Sequence, residues 1–197
     1  MSLADVQLSW TRRDPEQRLG FRGGRYTRVN GLLSGLIACV LTIGFYAVLM
    51  LFSGAAWAAT FTDRGPTPYC IMFLSFWSLA ILGIKYRKLA FQRRALAYSV
   101  VPESHDFVLS SATVNDVVHR LYTIVDDPRH FVLFNRIVVA LSNLRNLGRI
   151  ADVDDILRSQ AEHEESAMET SYSVLQGFVW AIPVLGFIAT VLGLSGA

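Results

Sequence analysis

The chain has 197 residues, of which 52% are hydrophobic and only 17% are charged, and its formal net charge at pH 7 is +2. Soluble domains contain about 25% charged residues, so this composition favours a membrane protein. The small net charge, without a basic block that contains interleaved aromatic residues, argues against a nucleic-acid partner.

Two apolar segments follow an arginine-rich N-terminal segment, residues 1–30. They lie at about 31–52 and 68–84, and neither contains an Asp, Glu, Lys, Arg or His residue. Because about 20 apolar residues cross the hydrocarbon core of a bilayer, they predict a transmembrane helical hairpin over 31–84. The long arginine-rich leader and the length of the first run argue against a cleaved signal peptide.

Basic residues predict the orientation of this hairpin. They cluster before the first apolar segment and directly after the second, whereas the loop between the segments holds only Arg64. The second cluster comprises Lys85, Arg87, Lys88, Arg93 and Arg94. Because positively charged segments stay on the cytoplasmic side, we expect a cytoplasmic N-terminus, an outside loop, and a chain that returns to the cytoplasm at residue 85.

The segment after the hairpin, residues 85–172, predicts a helical cytoplasmic domain. Apolar residues recur at helical spacing from Val114 to Val125, and the sequence Asp-Asp-Pro that ends at Pro128 breaks this helix. A second helix is predicted to follow and to end at Gly148, because glycine is typical of helix C-termini.

The third apolar segment, residues 173–197, contains no charged residue. No strong helix breaker separates it from Asp152, so the sequence predicts one helix from Asp152 to about Ser195, and a break near 171–173 is the alternative. The predicted fold is an all-α membrane protein. It has three transmembrane helices and a helical cytoplasmic domain between the second and the third, with the third continuous with a long cytoplasmic helix.

The sequence contains no arrangement typical of an enzyme, a metal site or a cofactor site. The glycine-rich segment Gly20–Gly24 is too short for a phosphate-binding loop and lacks the following Lys-Ser/Thr pair. The run Glu162–Glu165 contains a histidine, but consecutive residues of a helix point to different sides and do not converge on one ion. A solvated acidic face is the simpler interpretation. We therefore expect no enzymatic activity, no metal and no cofactor.

The third apolar segment carries a stripe of small or weakly polar residues. Residues spaced by three or four positions share one face of a helix. The stripe comprises Pro183, Gly186, Thr190, Gly193 and Ala197. A membrane helix with such a smooth face packs closely against other helices or lines a narrow path.

Thr190 has two interpretations from the residues alone. Its hydroxyl either bonds back to a carbonyl one turn earlier, as is common in membrane helices, or faces a path through the membrane. A proton path needs an ionisable relay, and the three apolar segments contain none. If the chain conducts, the carboxylate must come from a partner, and Thr190 orients water or hydrogen-bonds to that carboxylate.

The sequence from Trp180 to Gly193, WAIPVLGFIATVLG, resembles the signature of the MotA/TolQ/ExbB proton-channel family, approximately W-x-x-P-x-L-G-F-I-G-T-V-x-G. Residues 136–148 also resemble the cytoplasmic helix that precedes this signature in some members. The resemblance covers about residues 130–197, and the two preceding apolar segments agree with the arrangement of the family.

This resemblance implies a multi-pass stator or energy-transducing subunit of the bacterial inner membrane. In the family several copies, typically five, surround single-span partners of the MotB/ExbD/TolR kind. The resemblance implies that Thr190 and Pro183 belong to the ion pathway and that Gly186, Gly193 and Ala189 are helix-packing positions. Because the family continues into a further membrane helix, it also implies that this chain ends before the last one.

Two functional hypotheses follow. The first is an inner-membrane proton-channel or stator subunit that couples ion-motive force to mechanical work together with a carboxylate-bearing, single-span partner. The alternative is a non-conducting membrane scaffold whose stripe of small residues only assembles helices. Both place the chain in a lipid bilayer as a homo-oligomer, and the resemblance implies a pentamer. The sequence leaves open which ion flows and which machine is driven.

Overall fold

The computed structural model describes residues 8–10, 14–21, 24, 26–52, 54, 56–62, 65–100, 113–147 and 150–195. These residues are predominantly helical and include no strand, although an isolated bridge pairs Leu8 with Val125. The all-α class predicted from the sequence is confirmed for this part of the chain. The predicted helix end at Gly148 and the last stripe residue, Ala197, lie outside the described residues.

The described helices have the following bounds. In chain order they are α1 (Pro15–Arg18), α2 (Gly31–Leu51), α3 (Ala56–Thr62), α4 (Thr67–Ala95), α5 (Val114–Ile124), α6 (Val132–Leu147), α7 (Ile150–Thr170) and α8 (Ser173–Ser195), with a 3-10 turn at Pro128–His130. Three helical stretches are long and apolar enough to cross a membrane. They are α2, α4 and the stretch Asp152–Gly193, whose apolar part belongs to α8.

The chain divides into two compact units. The first comprises Met1–Arg28 and Tyr86–Thr170, and the second comprises Val29–Lys85 and Ser171–Ala197. Most of the apolar length of the three candidate membrane helices therefore belongs to the second unit.

Aromatic contacts join α2, α4 and α8 in the second unit. The Trp77 indole Nε1 donates a hydrogen bond to Ser34 Oγ at 3.0 Å, which links α4 to α2. The Trp77 and Phe178 rings lie 5.1 Å apart, which links α4 to α8. Near the other end of α2, Tyr46 and Tyr69 stack with centroids 4.3 Å apart. The indole N–H has a partner, as a polar group between apolar helices requires.

The loop predicted between the first two apolar segments contains the short helix α3. Ala58 of this helix is only 2% exposed and packs in one cluster with Tyr46 and Leu49 of α2. Phe61 and Met72 extend the cluster. The helix α3 is therefore a packed part of the second unit.

The helix predicted to be continuous from Asp152 to about Ser195 is interrupted by a turn at Ser171 and Tyr172, and the alternative break is the one observed. Lys85 holds this turn, because its Nζ donates to Ser171 Oγ at 2.7 Å and lies 4.0 Å from the centroid of the Tyr172 ring. A serine side chain offers hydrogen bonds that compete with the helix, and the cation fixes the turn through both side chains.

The N-terminal segment contributes to the core of the first unit. Trp10 is 1% exposed, and its indole contacts Phe91, His130 and Phe131 at centroid distances of 5.7, 5.4 and 5.4 Å. The segment 1–30, predicted as an arginine-rich cytoplasmic segment, therefore supplies a central aromatic residue. A single tryptophan in a polar sequence carries no periodic signal, which is why the sequence did not indicate its burial.

A buried ionic cluster holds the same segment in place. Lys88 Nζ donates to Glu16 Oε2 at 2.5 Å and to the Arg28 carbonyl at 2.8 Å, and it lies 3.8 Å from Asp14 Oδ1. The three charged side chains are at most 1% exposed. Gly24 donates its N–H to Glu16 Oε2 at 3.3 Å, and a Cβ at this position would lie 2.7 Å from the Arg28 carbonyl oxygen. The cluster therefore requires a residue without a side chain at position 24.

Asp14 is expected to make the stability of the chain depend on pH. Burial raises the pKa of Asp14 above its ordinary value of 3.8, and the nearby Lys88 charge opposes this effect. Between the two pKa values the folded chain binds more protons than the unfolded chain, so its stability falls as the pH rises through the folded pKa. The Asp14→Asn variant keeps an acceptor for the Glu16 N–H but cannot ionise, so it should gain stability relative to the wild type as the pH rises.

Thermal unfolding of the full chain in neutral detergent between about pH 4 and pH 7 measures this difference. The control variant Asp154→Asn removes an exposed carboxylate from α7. The same pH trend in both variants would show that the burial of Asp14 is not its cause.

Candidate functional site

Four residues singled out in the sequence line one cavity within the second unit. The cavity has a volume of about 860 Å³, and α8 contributes Gly186, Ala189, Thr190 and Gly193 to its wall. Their spacing explains the arrangement, because these positions share one side of the helix. The volume is within the usual range of binding pockets.

The facing walls of the cavity come from α3, the connection after it and the first turns of α4. They include two threonines, Thr60 and Thr67, and the apolar residues Phe61, Ile71 and Met72. None of the described lining residues has an ionisable side chain. The polar groups that the lining side chains offer are therefore hydroxyls.

The Thr190 hydroxyl bonds back to its own helix, which is the first of the two interpretations offered from the sequence. Its Oγ1 donates to the Gly186 carbonyl at 3.0 Å, one turn earlier in α8, while the side chain remains exposed. Thr60 similarly donates to the Trp57 carbonyl of its own helix. A hydroxyl that donates its proton still has lone pairs on its oxygen, so both threonines can accept hydrogen bonds. The cavity thus suits a ligand or side chain that donates a hydrogen bond.

Pro183 does not line this cavity. It lies inside α8, is exposed, and belongs to the same helix face one turn before Gly186. Thr190 lies seven positions further along α8, a rise of about 10 Å. Because proline has no N–H, the carbonyl of Val179 lacks its normal helical partner, and this turn is the weak point of the helix. The structure therefore does not bring the two predicted pathway residues together at one cavity.

The glycines of the stripe face open space. A Cβ added at Gly186 or at Gly193 would meet no atom of the described chain within 4 Å. Large apolar side chains elsewhere on α8 are also exposed, with Val179 at 69%, Phe187 at 71% and Leu192 at 60%. Close helix packing at Gly186 and Gly193 stays a prediction.

Sequence reasoning missed Thr60 and Thr67. Both belong to the stretch expected to be an outside loop, where hydroxyl residues are common and have no periodic pattern. The apolar run that includes Trp57 and Phe61 is the signal that could have indicated a packed helix there.

The acidic run Glu162–Glu165 is divided between the interior and the surface of the first unit. Glu164 is 6% exposed and accepts hydrogen bonds from Tyr26 Oη at 3.0 Å and Gln160 Nε2 at 2.9 Å. Arg136 donates to the other carboxylate oxygen, with Nε at 2.9 Å and Nη2 at 2.8 Å. The other three residues of the run are exposed. Glu164 therefore joins α7 to α6 and to the N-terminal segment, which is a structural role.

Comparisons of the chain with models of protein families, with curated proteins and with solved structures found no match. The cavity at Thr190 remains the candidate functional site because it combines the residues of the sequence stripe with hydroxyl groups inside an apolar unit.

Proposed function

We propose that this chain is a membrane-embedded proton-channel or stator subunit that couples ion flow to mechanical work together with a single-span partner bearing a carboxylate. The observation that carries the proposal is the cavity of about 860 Å³ in which Thr190 presents a hydroxyl among apolar walls. The resemblance of the segment Trp180–Gly193 to the MotA/TolQ/ExbB signature is the second support.

The chemistry of the cavity explains why a partner is needed. Proton transfer requires a group that gains and loses a proton, and within membranes this group is usually a carboxyl. The apolar segments and the described lining of the cavity contain none. In the proposed mechanism the partner inserts a carboxyl group opposite Thr190.

Thr190 serves both protonation states of that carboxyl group. When the carboxyl is protonated, its O–H donates to the Thr190 oxygen, whose own O–H still donates to the Gly186 carbonyl. When the proton has left, the threonine hydroxyl rotates away from Gly186 and donates to the carboxylate. The rotation replaces the hydrogen bond to Gly186 with one to the carboxylate, so the number of hydrogen bonds stays the same. Thr190 is then a positioning residue and not a proton carrier.

The proposal includes a location and an assembly. The chain lies in the bacterial inner membrane, with its N-terminus and most of the segment 85–172 in the cytoplasm. Several copies, five by the resemblance, surround the partner. In this arrangement the open face at Gly186 and Gly193 contacts a neighbouring chain, and the exposed Val179 and Phe187 contact lipid or other copies.

Proton flux into liposomes tests the proposal. The purified chain alone is expected to give no flux above that of empty liposomes. Co-reconstitution with a single-span protein from a neighbouring reading frame, bearing an Asp near the start of its span, is expected to give flux. The same partner with this Asp replaced by Asn is the control and should give none. Flux through the chain alone, or equal flux with both partners, would contradict the mechanism.

The alternative function is a non-conducting membrane scaffold. The hydrogen bond from Thr190 to its own helix favours it, because a hydroxyl satisfied within α8 needs no pathway. A scaffold requires only the open space at Gly186 and Gly193 for a neighbouring helix. It predicts an oligomer that forms equally well without the hydroxyl.

A further inference from the structure

The structure separates the five basic residues that follow the apolar part of α4 into two groups. Lys85 and Lys88 are buried, with 4% and 2% exposure. As described above, Lys85 holds the turn at Ser171 and Lys88 holds the buried carboxylate of Glu16. Both lysines therefore contact other residues of the chain, and the remaining three basic residues are the candidates for binding an external ligand.

The remaining three basic residues, Arg87, Arg93 and Arg94, are exposed. None of them forms an ion pair with any residue in the described part of the chain. Arg87 and Arg94 are seven residues apart and therefore lie on nearly the same side of the helix. Exposed guanidinium groups in this arrangement suit an external anion, and a planar guanidinium binds a phosphate through two hydrogen bonds.

Large apolar side chains are exposed among these arginines. Tyr86 is 73% exposed, Leu89 is 44% exposed, and Leu96, just after the helix, is 68% exposed. A helix face in contact with water alone rarely presents such side chains together. Tyrosine, leucine and arginine combined on one face are typical of the boundary between hydrocarbon and headgroups.

The length of α4 places this face at the membrane surface. The helix begins at Thr67, and about 20 residues at 1.5 Å each cover the hydrocarbon core of about 30 Å. The core then ends near Tyr86 and Arg87. Arg93 and Arg94 lie about 10 Å further along the helix axis, and their long side chains can extend back to the headgroups.

We propose that the face of α4 from Tyr86 to Arg94 binds anionic phospholipid headgroups through Arg87, Arg93 and Arg94. Tyr86 and Leu89 contact the adjacent acyl chains. This inference depends on α4 crossing the membrane and does not depend on proton conduction. A scaffold with the same helix would bind the same lipid.

Lipid retention measured by native mass spectrometry tests this proposal. The full chain in neutral detergent is titrated with phosphatidylglycerol and, separately, with phosphatidylcholine. The wild type is expected to retain phosphatidylglycerol in preference to phosphatidylcholine. Each arginine near an anionic surface changes binding by about 5-fold, so the variant Arg87→Gln/Arg93→Gln/Arg94→Gln should bind phosphatidylglycerol about 100-fold more weakly.

The matched control removes three exposed arginines from other parts of the first unit, as Arg120→Gln/Arg129→Gln/Arg158→Gln. It has the same net charge as the test variant and should retain the lipid preference. Each single variant at 87, 93 and 94 should show a partial loss, which keeps the test valid if the triple variant folds poorly. Equal loss in test and control variants would show that only net charge matters, and the proposal would be wrong.

Two other outcomes would overturn the proposal. Normal retention of phosphatidylglycerol by the triple variant, together with dissociation of the oligomer, would identify this face as a contact between copies. Displacement of the lipid from the wild type by inorganic phosphate at matched concentration would identify a site for free anions.

Discussion

Replacing Lys88 with methionine is expected to lower the free energy of unfolding by about 3–5 kcal/mol. The reason is the environment of the two carboxylates that Lys88 contacts. Glu16 and Asp14 are fully buried, and the ammonium at 2.5 Å from Glu16 Oε2 is the cation that compensates their charge among the described residues. Methionine keeps most of the volume of lysine but removes the buried ammonium that contacts both carboxylates and donates to the Arg28 carbonyl.

The neighbouring position provides a matched control. Arg87→Met removes a positive charge from the same helix at an exposed residue, so its expected effect on unfolding is within about 0.5 kcal/mol. Denaturant unfolding of the full chain in detergent measures both variants. Combining Lys88→Met with Glu16→Gln should recover part of the loss, because one of the two buried carboxylate charges is then removed. Equal losses for Lys88→Met and Arg87→Met would show that the buried cluster contributes no specific stability.

The same cluster shows why the membrane helices could be predicted from the sequence while the roles of the basic residues could not. A charge-free apolar run is a local feature, and α2, α4 and the apolar part of α8 are all present in the structure. Burial of Lys88 depends on Glu16 and Arg28, which are 72 and 60 residues away in sequence. Lys88 is therefore buried, and Arg87 exposed, because of how the N-terminal segment folds against α4.

The candidate site likewise has one wall that could be predicted from local sequence and one that depends on contacts distant in sequence. Helical spacing was sufficient to place Gly186, Thr190 and Gly193 on one face, and the structure gives them a common cavity. The opposite wall could not be predicted, because Thr60 and Thr67 approach α8 only through the packing of α3 and the start of α4. The turn at Ser171 and Tyr172 is similarly decided by Lys85, a partner remote in sequence.

Replacing Thr190 with valine is expected to reduce partner-dependent proton flux by about 10-fold or more, with no loss of the oligomer. Valine keeps the shape of threonine but removes the oxygen that can accept from a protonated carboxyl or donate to a carboxylate. Loss of one hydrogen bond that forms during transfer, worth about 1.4 kcal/mol, corresponds to a tenfold change in rate. Flux is measured in liposomes with the partner, and size-exclusion chromatography in detergent reports the oligomer.

Thr42 provides a control that separates an effect on proton flux from the loss of a hydrogen bond within a helix. Its Oγ1 donates to the Ala38 carbonyl at 2.8 Å, so Thr42→Val removes the same type of intrahelical bond from α2. Thr42 does not line the cavity at Thr190, and its replacement should leave flux unchanged. Thr190→Ser keeps the hydroxyl and should restore most of the flux. If Thr190→Val conducts as well as Thr42→Val, the hydroxyl serves only its own helix. Since Thr190 would then contribute nothing to transfer, the stripe would have only the assembly role that the scaffold function assigns to it.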